Sequence, residues 1–340
     1  MGKLDILTRN YLSQNEIFAD AFNYLMYNGR QVIDPRELRE QDPTEMTVIR
    51  KLGRTITDQK IRDILKLCTI RHSKTATLVL LGIEGQSEVH YAMPVKDYLY
   101  DALNYAAQVE NTRKKHRESA DTKSSAEFLS GFTRQDHLIP VITLCICFSK
   151  ERWDAPRSLH EMFDYLDPET QKYVNDYKLN LITPSDVDDY EKFSSELGLV
   201  LEFIHYSEDR KTISDIINMK ERYKHVDISS VEIINAYTSA SISIESAEGG
   251  QIDMCTAIKE LIEEGRQEGL QEGRQEGRQE GLQEGRQEGL AEGISRGEDM
   301  LADLILKLTP GSAEYMEALQ GTPEDRRRLY EKYGISGKRS

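Results

Sequence analysis

Between Thr77 and Gln86 the chain reads Thr-Leu-Val-Leu-Leu-Gly-Ile-Glu-Gly-Gln, and this stretch limits the possible folds more than any other. An apolar run of this length, bounded by polar residues, fits a strand buried on both faces. Such a strand needs one layer of structure above it and another below. Its side chains alternate, so Glu84 and Gln86 take one face and Gly85 the other. A carboxylate at the end of a buried strand is costly unless something compensates it. Two readings are open: a metal ion compensates Glu84, or the strand ends at the surface and Glu84 is simply wet.

The flanking segments supply the layers. Residues 60–70 fit a helix through Ile61, Ile64, Leu65 and Cys68, and also fit a strand over 64–70. The short turn His72-Ser73-Lys74 favours a strand antiparallel to residues 76–86. Val141–Phe148 is a second apolar, β-branched run and reads as a central strand, with Cys145 and Cys147 as core thiols on one face. Residues 177–182 form a last strand, stopped by Pro184.

The helices are read from period and caps. Residues 12–28 repeat Ile17, Ala21, Leu25 and Phe18, Phe22, Met26 at helical spacing, with Ser13 or Asn15 as cap and Asn28-Gly29 as stop. Asp20 and Asn23 share one side of that helix. Residues 34–56, with Pro35 and Pro43, read as loop. Pro94 opens a helix over 95–110 that packs through Leu99, Ala102, Leu103, Ala106 and Val109. Lys96 and Tyr100 lie one turn apart on another face. Residues 111–136 read as a mobile loop carrying the basic run Arg113-Lys114-Lys115-His116-Arg117, suited to phosphate contact. The expected fold class is α/β, a mixed central sheet flanked by helices, followed by a C-terminal helical region.

At 340 residues the chain has room for roughly two domains. Residues 1–185 form the α/β domain. Residues 186–247 become helical in period and read as a small helical subdomain. Residues 248–299 begin with a linker at Glu248-Gly249-Gly250 and hold a Gln-Glu-Gly-Arg/Leu repeat, with Gly at every fourth position from Gly265 to Gly297. Four residues turn an α-helix by roughly 400°, so the repeat gives no fixed apolar stripe. Nine helical glycines cost on the order of 7–9 kcal/mol relative to alanine. The tract is either a helix held by a partner or a disordered spacer. Residues 300–340 form a tail with one apolar helix, Leu301 to Leu308, and a charged end.

The net charge of -15 speaks at first against a nucleic-acid partner. Its distribution reverses that. Residues 1–150 carry 21 Lys+Arg and 19 Asp+Glu, or 21 − 19 = +2, so the acidity belongs to the second half. The 4 Cys show no zinc spacing, and no run approaches the ~18 apolar residues of a membrane span. Residues 1–10 lack an apolar signal core. A reduced, soluble, cytoplasmic protein without a membrane partner is expected.

Phosphodiester hydrolysis needs carboxylates that hold Mg²⁺ against the phosphate, and a cation for the developing charge. Asp63 and Glu84, on neighbouring strands, suit the first need. Gly-rich phosphate loops, nucleophile elbows and metal-spaced His clusters are absent from the sequence. Three segments carry a resemblance: Arg62 to Lys66, Leu81 to Lys96, and Tyr100 to Tyr105. Together they resemble the Rpn/YhgA-like family of recombination-promoting nucleases, also labelled putative transposases, within the PD-(D/E)XK nuclease superfamily. The segment Pro156 to Phe163 and the Gly-Glu repeat also look like members of this group.

The resemblance covers about residues 15–185 and implies a restriction-endonuclease-like core. It implies Asp63 and Glu84 as the two acids binding Mg²⁺ or another divalent cation. Gln86 falls where the superfamily usually has lysine; a carboxamide orients water or phosphate but brings no charge. Lys96 is the candidate for the missing charge. Asp20 is the candidate helical acid completing the metal shell, with Glu16 as its rival. Arg113, Lys114, Lys115 and Arg117 are candidate DNA contacts, and the C-terminal region a candidate surface for homo-oligomers. The leading expectation is a metal-dependent DNA endonuclease promoting recombination. The alternative is a degenerate DNA-binding or scaffold protein that assembles through the repeat. Strand transfer finds no Asp-Asp-Glu pattern to support it.

Overall fold

The computed structural model describes residues 2–41, 64–71, 76–245, 247 and 249–336. Among them the chain divides into two compact units, Met1–Leu261 and Ile262–Ser340. In the first unit the order is α1 (Lys3–Leu12), α2 (Asn15–Tyr27), β1 (Arg39–Glu40), β2 (Ile64–Arg71), β3 (Ala76–Gln86), α3 (Met93–Ser119) and α4 (Ser125–Ser130). There follow β4 (Val141–Cys147), α5 (Pro168–Gln171), β5 (Leu181–Ile182), α6 (Leu197–Tyr206), α7 (Arg210–Met219), β6 (Val226–Asp227), α8 (Ile228–Tyr237) and β7 (Gln251–Ile252). Helix α9 (Met254–Lys307) runs on into the second unit, which also holds α10 (Ala313–Gln320) and α11 (Pro323–Lys332).

The sheet has the order β1-β2-β3-β4-β5. β1, β2 and β3 are antiparallel to their neighbours, whereas β3, β4 and β5 run parallel. β2 and β3 pair as the alternation of residues 64–70 and 76–86 requires, with Ile64 opposite Ile83 and Leu67 opposite Leu80. Parallel strands need a crossover, and α3 supplies the one between β3 and β4. β3 is therefore the central strand. The strand expected over residues 177–182 is reduced to β5, two residues long, which pairs only with Cys145 and Ile146 of β4.

The two faces of the sheet differ in chemistry. Val79, Leu81 and Ile83 of β3, with Cys68, Leu144, Ile146 and Phe148, join one apolar core with α1, α2, α6 and α8. Residues 186–247 share this same core through Leu199, Val200, Val231 and Ile234. The other face carries Leu80, Glu84, Thr143 and Cys145 and is covered by α3. Gly85 points to the first face, where a Cβ would stand 2.8 Å from Thr8 Cγ2. Only glycine lets α1 lie this close to β3.

Several expectations are corrected. The helix expected over residues 12–28 is α2, Asn15–Tyr27, which begins after Gln14 without a side-chain cap and ends at Asn28 in the left-handed region; Leu12 belongs to an additional helix, α1, that precedes it. Helix α3 does not stop near residue 110; it continues to Ser119 and carries the basic run on its last turns. It also packs through the opposite face from the one its apolar spacing suggests. Met93, Asp97, Tyr100, Asp101 and Asn104 are buried, while Leu99, Ala102 and Ala106 are exposed. Polar partners explain the reversal. Gln108 Oε1 accepts from the Ile139 amide at 2.7 Å, Tyr105 Oη accepts from the Val141 amide at 3.0 Å, and Asp101 Oδ1 accepts from Thr143 Oγ1 at 2.5 Å. The helix is tied to β4 by hydrogen bonds rather than by a greasy stripe.

The repeat from Gly265 to Gly297 is helical throughout, inside α9, and its side chains are largely exposed. In the second unit Leu304 and Leu308 bury against Ala318 and Leu329, with Tyr315, Tyr330 and Tyr333 packed around them. The tail is thus a small helical cluster rather than one helix and a charged end. Among the described residues no helix is long and apolar enough to cross a membrane.

Candidate functional site

The polar face of the sheet brings the sequence candidates Glu84 and Lys96 together. Glu84 is the antepenultimate residue of β3, opposite Cys145 of β4, and is 2% exposed. Lys96 sits in the first turns of α3, its amide bonded to the Ala92 carbonyl. Its Nζ donates to Glu84 Oε2 at 2.8 Å. The same ammonium lies 5.9 Å from the centre of the Tyr100 ring, one turn along. A cation near a helix N-terminus is disfavoured by the helix dipole, so Glu84 is what makes Lys96 welcome there.

Two further acids share this face, and spacing alone did not single them out. Asp97, next to Lys96, is fully buried. Asp101 accepts from Thr143 Oγ1 and, at 2.7 Å, from Tyr177 Oη. Burial first, and then the Asp97 and Glu84 carboxylates, push the Cys145 thiol well above its ordinary range. Asp97 and Glu84 are therefore near enough to Cys145 to act on it, with the Lys96 ammonium as the opposing charge. The one available signal was that Asp97 and Asp101 lie four apart on α3, in line with Tyr100 and Asn104.

Gln86 ends β3 opposite Cys147, and its Nε2 donates to the Gly85 carbonyl at 3.0 Å. Its amide is turned onto its own backbone. Beyond the carboxyl ends of β3 and β4 opens a cavity of about 410 Å³, whose walls include Ser87, Tyr91, Ser149, Lys150, Arg152 and Tyr237. Crevices at the carboxyl ends of parallel strands are the usual ligand sites of open α/β sheets.

Asp63 lies outside the described residues, as do Lys60 to Arg62 and residues 72–75, where the turn was expected. Asp20 is employed elsewhere. Its Oδ1 accepts from Ser194 N, Ser194 Oγ and Gln31 Nε2, and its Oδ2 from Ser195 N and Ser195 Oγ, at 2.6–3.2 Å. This buried carboxylate fastens α2 to the segment entering α6, and its lone pairs are filled by that task. Asn23 completes the joint by accepting from the Val32 and Ile33 amides. Glu16 is exposed on the first turn of α2.

Lys114, Lys115 and Arg117 are exposed on α3, roughly 27–32 Å along the helix from Lys96 at 1.5 Å per residue. Arg113 packs its stem over Gly131 and lies 3.9 Å from Glu110. His116, within this run, is held on both ring nitrogens, by Asp121 at 2.6 Å and Asp136 at 2.8 Å.

Glu84, Asp97 and Asp101 are carboxylates, the oxygen donors that a hard divalent cation takes. Mg²⁺ keeps several waters and takes one or two protein carboxylates. Among the described residues no three His, Cys, Asp or Glu side chains are arranged to hold a metal ion. Comparison with protein-family models, with curated proteins and with solved structures finds no match for the chain.

Proposed function

We propose that the chain is a metal-dependent DNA endonuclease of the recombination-promoting type, with a restriction-endonuclease-like core, acting on cytoplasmic DNA. The observation that carries this reading is the Lys96–Glu84 pair, an acid at the end of the central strand facing a lysine from the crossover helix. The element order is compatible with it: two helices, three antiparallel strands, the helices α3 and α4, and a parallel strand. Ile64 pairs with Ile83, and their sequence neighbours are Asp63 and Glu84, the two acids required.

In this reading Glu84 and Asp63 would hold Mg²⁺, which would supply an activated water and electrostatic stabilisation of the phosphate. Glu84, kept from solvent, stays in one orientation through the reaction. Lys96 supplies the positive charge that Gln86 lacks, stabilising charge that develops on the phosphate. Exposed Lys114, Lys115 and Arg117 hold the DNA backbone at a distance from the cut, contributing affinity without sequence preference.

One observation favours a second reading, a DNA-binding scaffold without cleavage. Gln86 commits its amide to the Gly85 carbonyl, and exposed α9 offers a surface for assembly into homo-oligomers. Nicking of supercoiled plasmid in Mg²⁺ separates the two. The nuclease nicks, and loses nicking in Asp63→Ala and Glu84→Ala; the scaffold shifts DNA at low salt and cuts none.

A further inference from the structure

We propose that the outer face of α3 is the contact between two copies of this chain, which pair their α3 helices antiparallel about Ala102. The inference does not depend on the metal reading of Glu84. It starts from an inversion. Helix α3 turns Met93, Asp97, Tyr100, Asp101 and Asn104 inward and leaves most of its apolar residues outside. A surface helix normally shows the opposite arrangement.

The outward residues form a seam. Val95, Leu99, Ala102, Ala106 and Val109 recur at alternating intervals of four and three, the 3.5-residue period by which one helix packs along another. The seam runs about 21 Å at 1.5 Å per residue. Val95 is 45% exposed and Leu99 39%; Ala102 and Ala106 are exposed, and Val109 is half-buried. Apolar residues scattered singly over a surface carry no message, whereas a continuous row marks an interaction site.

The row fits its own copy. Reversed and laid against itself about Ala102, it sets Val95 against Val109, Leu99 against Ala106, and Ala102 against Ala102 of the second copy. A large side chain then meets a small one, and the central alanines let the two backbones approach. A parallel pair would set Leu99 against Leu99 and leave the alanine layers hollow. Charge points the same way. Arg117 is exposed at the basic end of α3, and Glu88 is exposed in the segment just before Met93. Antiparallel pairing carries the basic end of each helix to the Glu88 end of the other, where parallel pairing would stack the two basic ends. The arrangement is two-fold, so each contact is made twice.

Analytical ultracentrifugation of the full chain at micromolar concentration, together with disulfide cross-linking, tests this. The parent is expected to sediment as a dimer. Ala102→Glu places two carboxylates against each other at the two-fold axis and is expected to raise the dimer dissociation constant at least ~30-fold. Ala102 is exposed, so the fold has room for the change. Glu88→Arg is expected to weaken the dimer, and Arg117→Glu in the same chain to restore it. For direction, Val95→Cys chains mixed with Val109→Cys chains should cross-link above the level of the parent, and Val95→Cys chains alone should not. A monomeric parent overturns the proposal. So does a folded Ala102→Glu protein that dimerises as tightly as the parent, which moves assembly to another surface such as α9. Cross-linking of Val95→Cys to itself, with none to Val109→Cys, overturns it as well.

Discussion

Lys96 Nζ and Glu84 Oε2 stand 2.8 Å apart across the junction of the central strand and the crossover helix, in a site that is otherwise acidic. Twelve residues separate them in the chain, and the turn between β3 and α3 brings them together. Removing Lys96 takes a positive charge from the buried Glu84 carboxylate, which is costlier than the pair itself is stabilising. The pair therefore gives both residues a measurable role, and the other candidates can be sorted against it.

Asp20 should behave as a structural tie. Asp20→Ala leaves the Ser194 and Ser195 donors unanswered, and is expected to lower stability by about 2–4 kcal/mol in urea unfolding. Its Mn²⁺ affinity should equal that of the parent. Loss of metal binding in a folded Asp20→Asn protein would return this residue to the metal shell.

His116 should make the α3–β4 connection sensitive to pH. Hydrogen bonds that its ring donates to Asp121 and then Asp136 raise its pKa above the ordinary 6.5. A raised pKa in the folded state means stability that is fully present below pH 6.5 and is lost as pH rises through the folded value. Amide exchange over residues 116–136 should accelerate across that window, beyond the intrinsic pH effect. In His116→Gln the added acceleration should vanish.

The glycine repeat should respond to alanine. A Cβ added at Gly273, Gly277 or Gly281 would meet no atom within 4 Å, so methyl groups fit. Replacing all three by Ala is expected to stabilise α9 by about 2–3 kcal/mol. The helical signal in circular dichroism should then persist to higher temperature in the full chain. An unchanged or earlier melt would mean that the glycines serve a close contact.

Much of this arrangement was legible in the residues themselves. Uninterrupted β-branched and leucine runs marked β3 and β4, and the short turn at residues 72–74 pointed to the antiparallel pairing of β2 with β3. The reversed face of α3 was not legible. Leu99, Ala102 and Ala106 obey helical spacing, but Asp97, Tyr100, Asp101 and Asn104 win burial through partners such as Thr143 and Tyr177, which lie far off in sequence. Asp20 misleads for the same reason: its serine partners are 174 and 175 residues away. α1 lacks an apolar period because Thr8, Tyr11 and Leu12 are its only buried positions. Lys96 was set apart from the apolar residues by its spacing to Tyr100 and made a candidate by the resemblance; its bond to Glu84 is what the structure adds.

The most direct test is the Mg²⁺-dependent nicking rate of supercoiled plasmid, measured for the parent and for Glu84→Gln. The substitution keeps the size of the side chain and removes its charge. The account predicts nicking by the parent that requires Mg²⁺ or Mn²⁺, and a loss of at least ~100-fold in Glu84→Gln. A folded parent that cuts in neither metal, or a Glu84→Gln protein that cuts as fast as the parent, would contradict it.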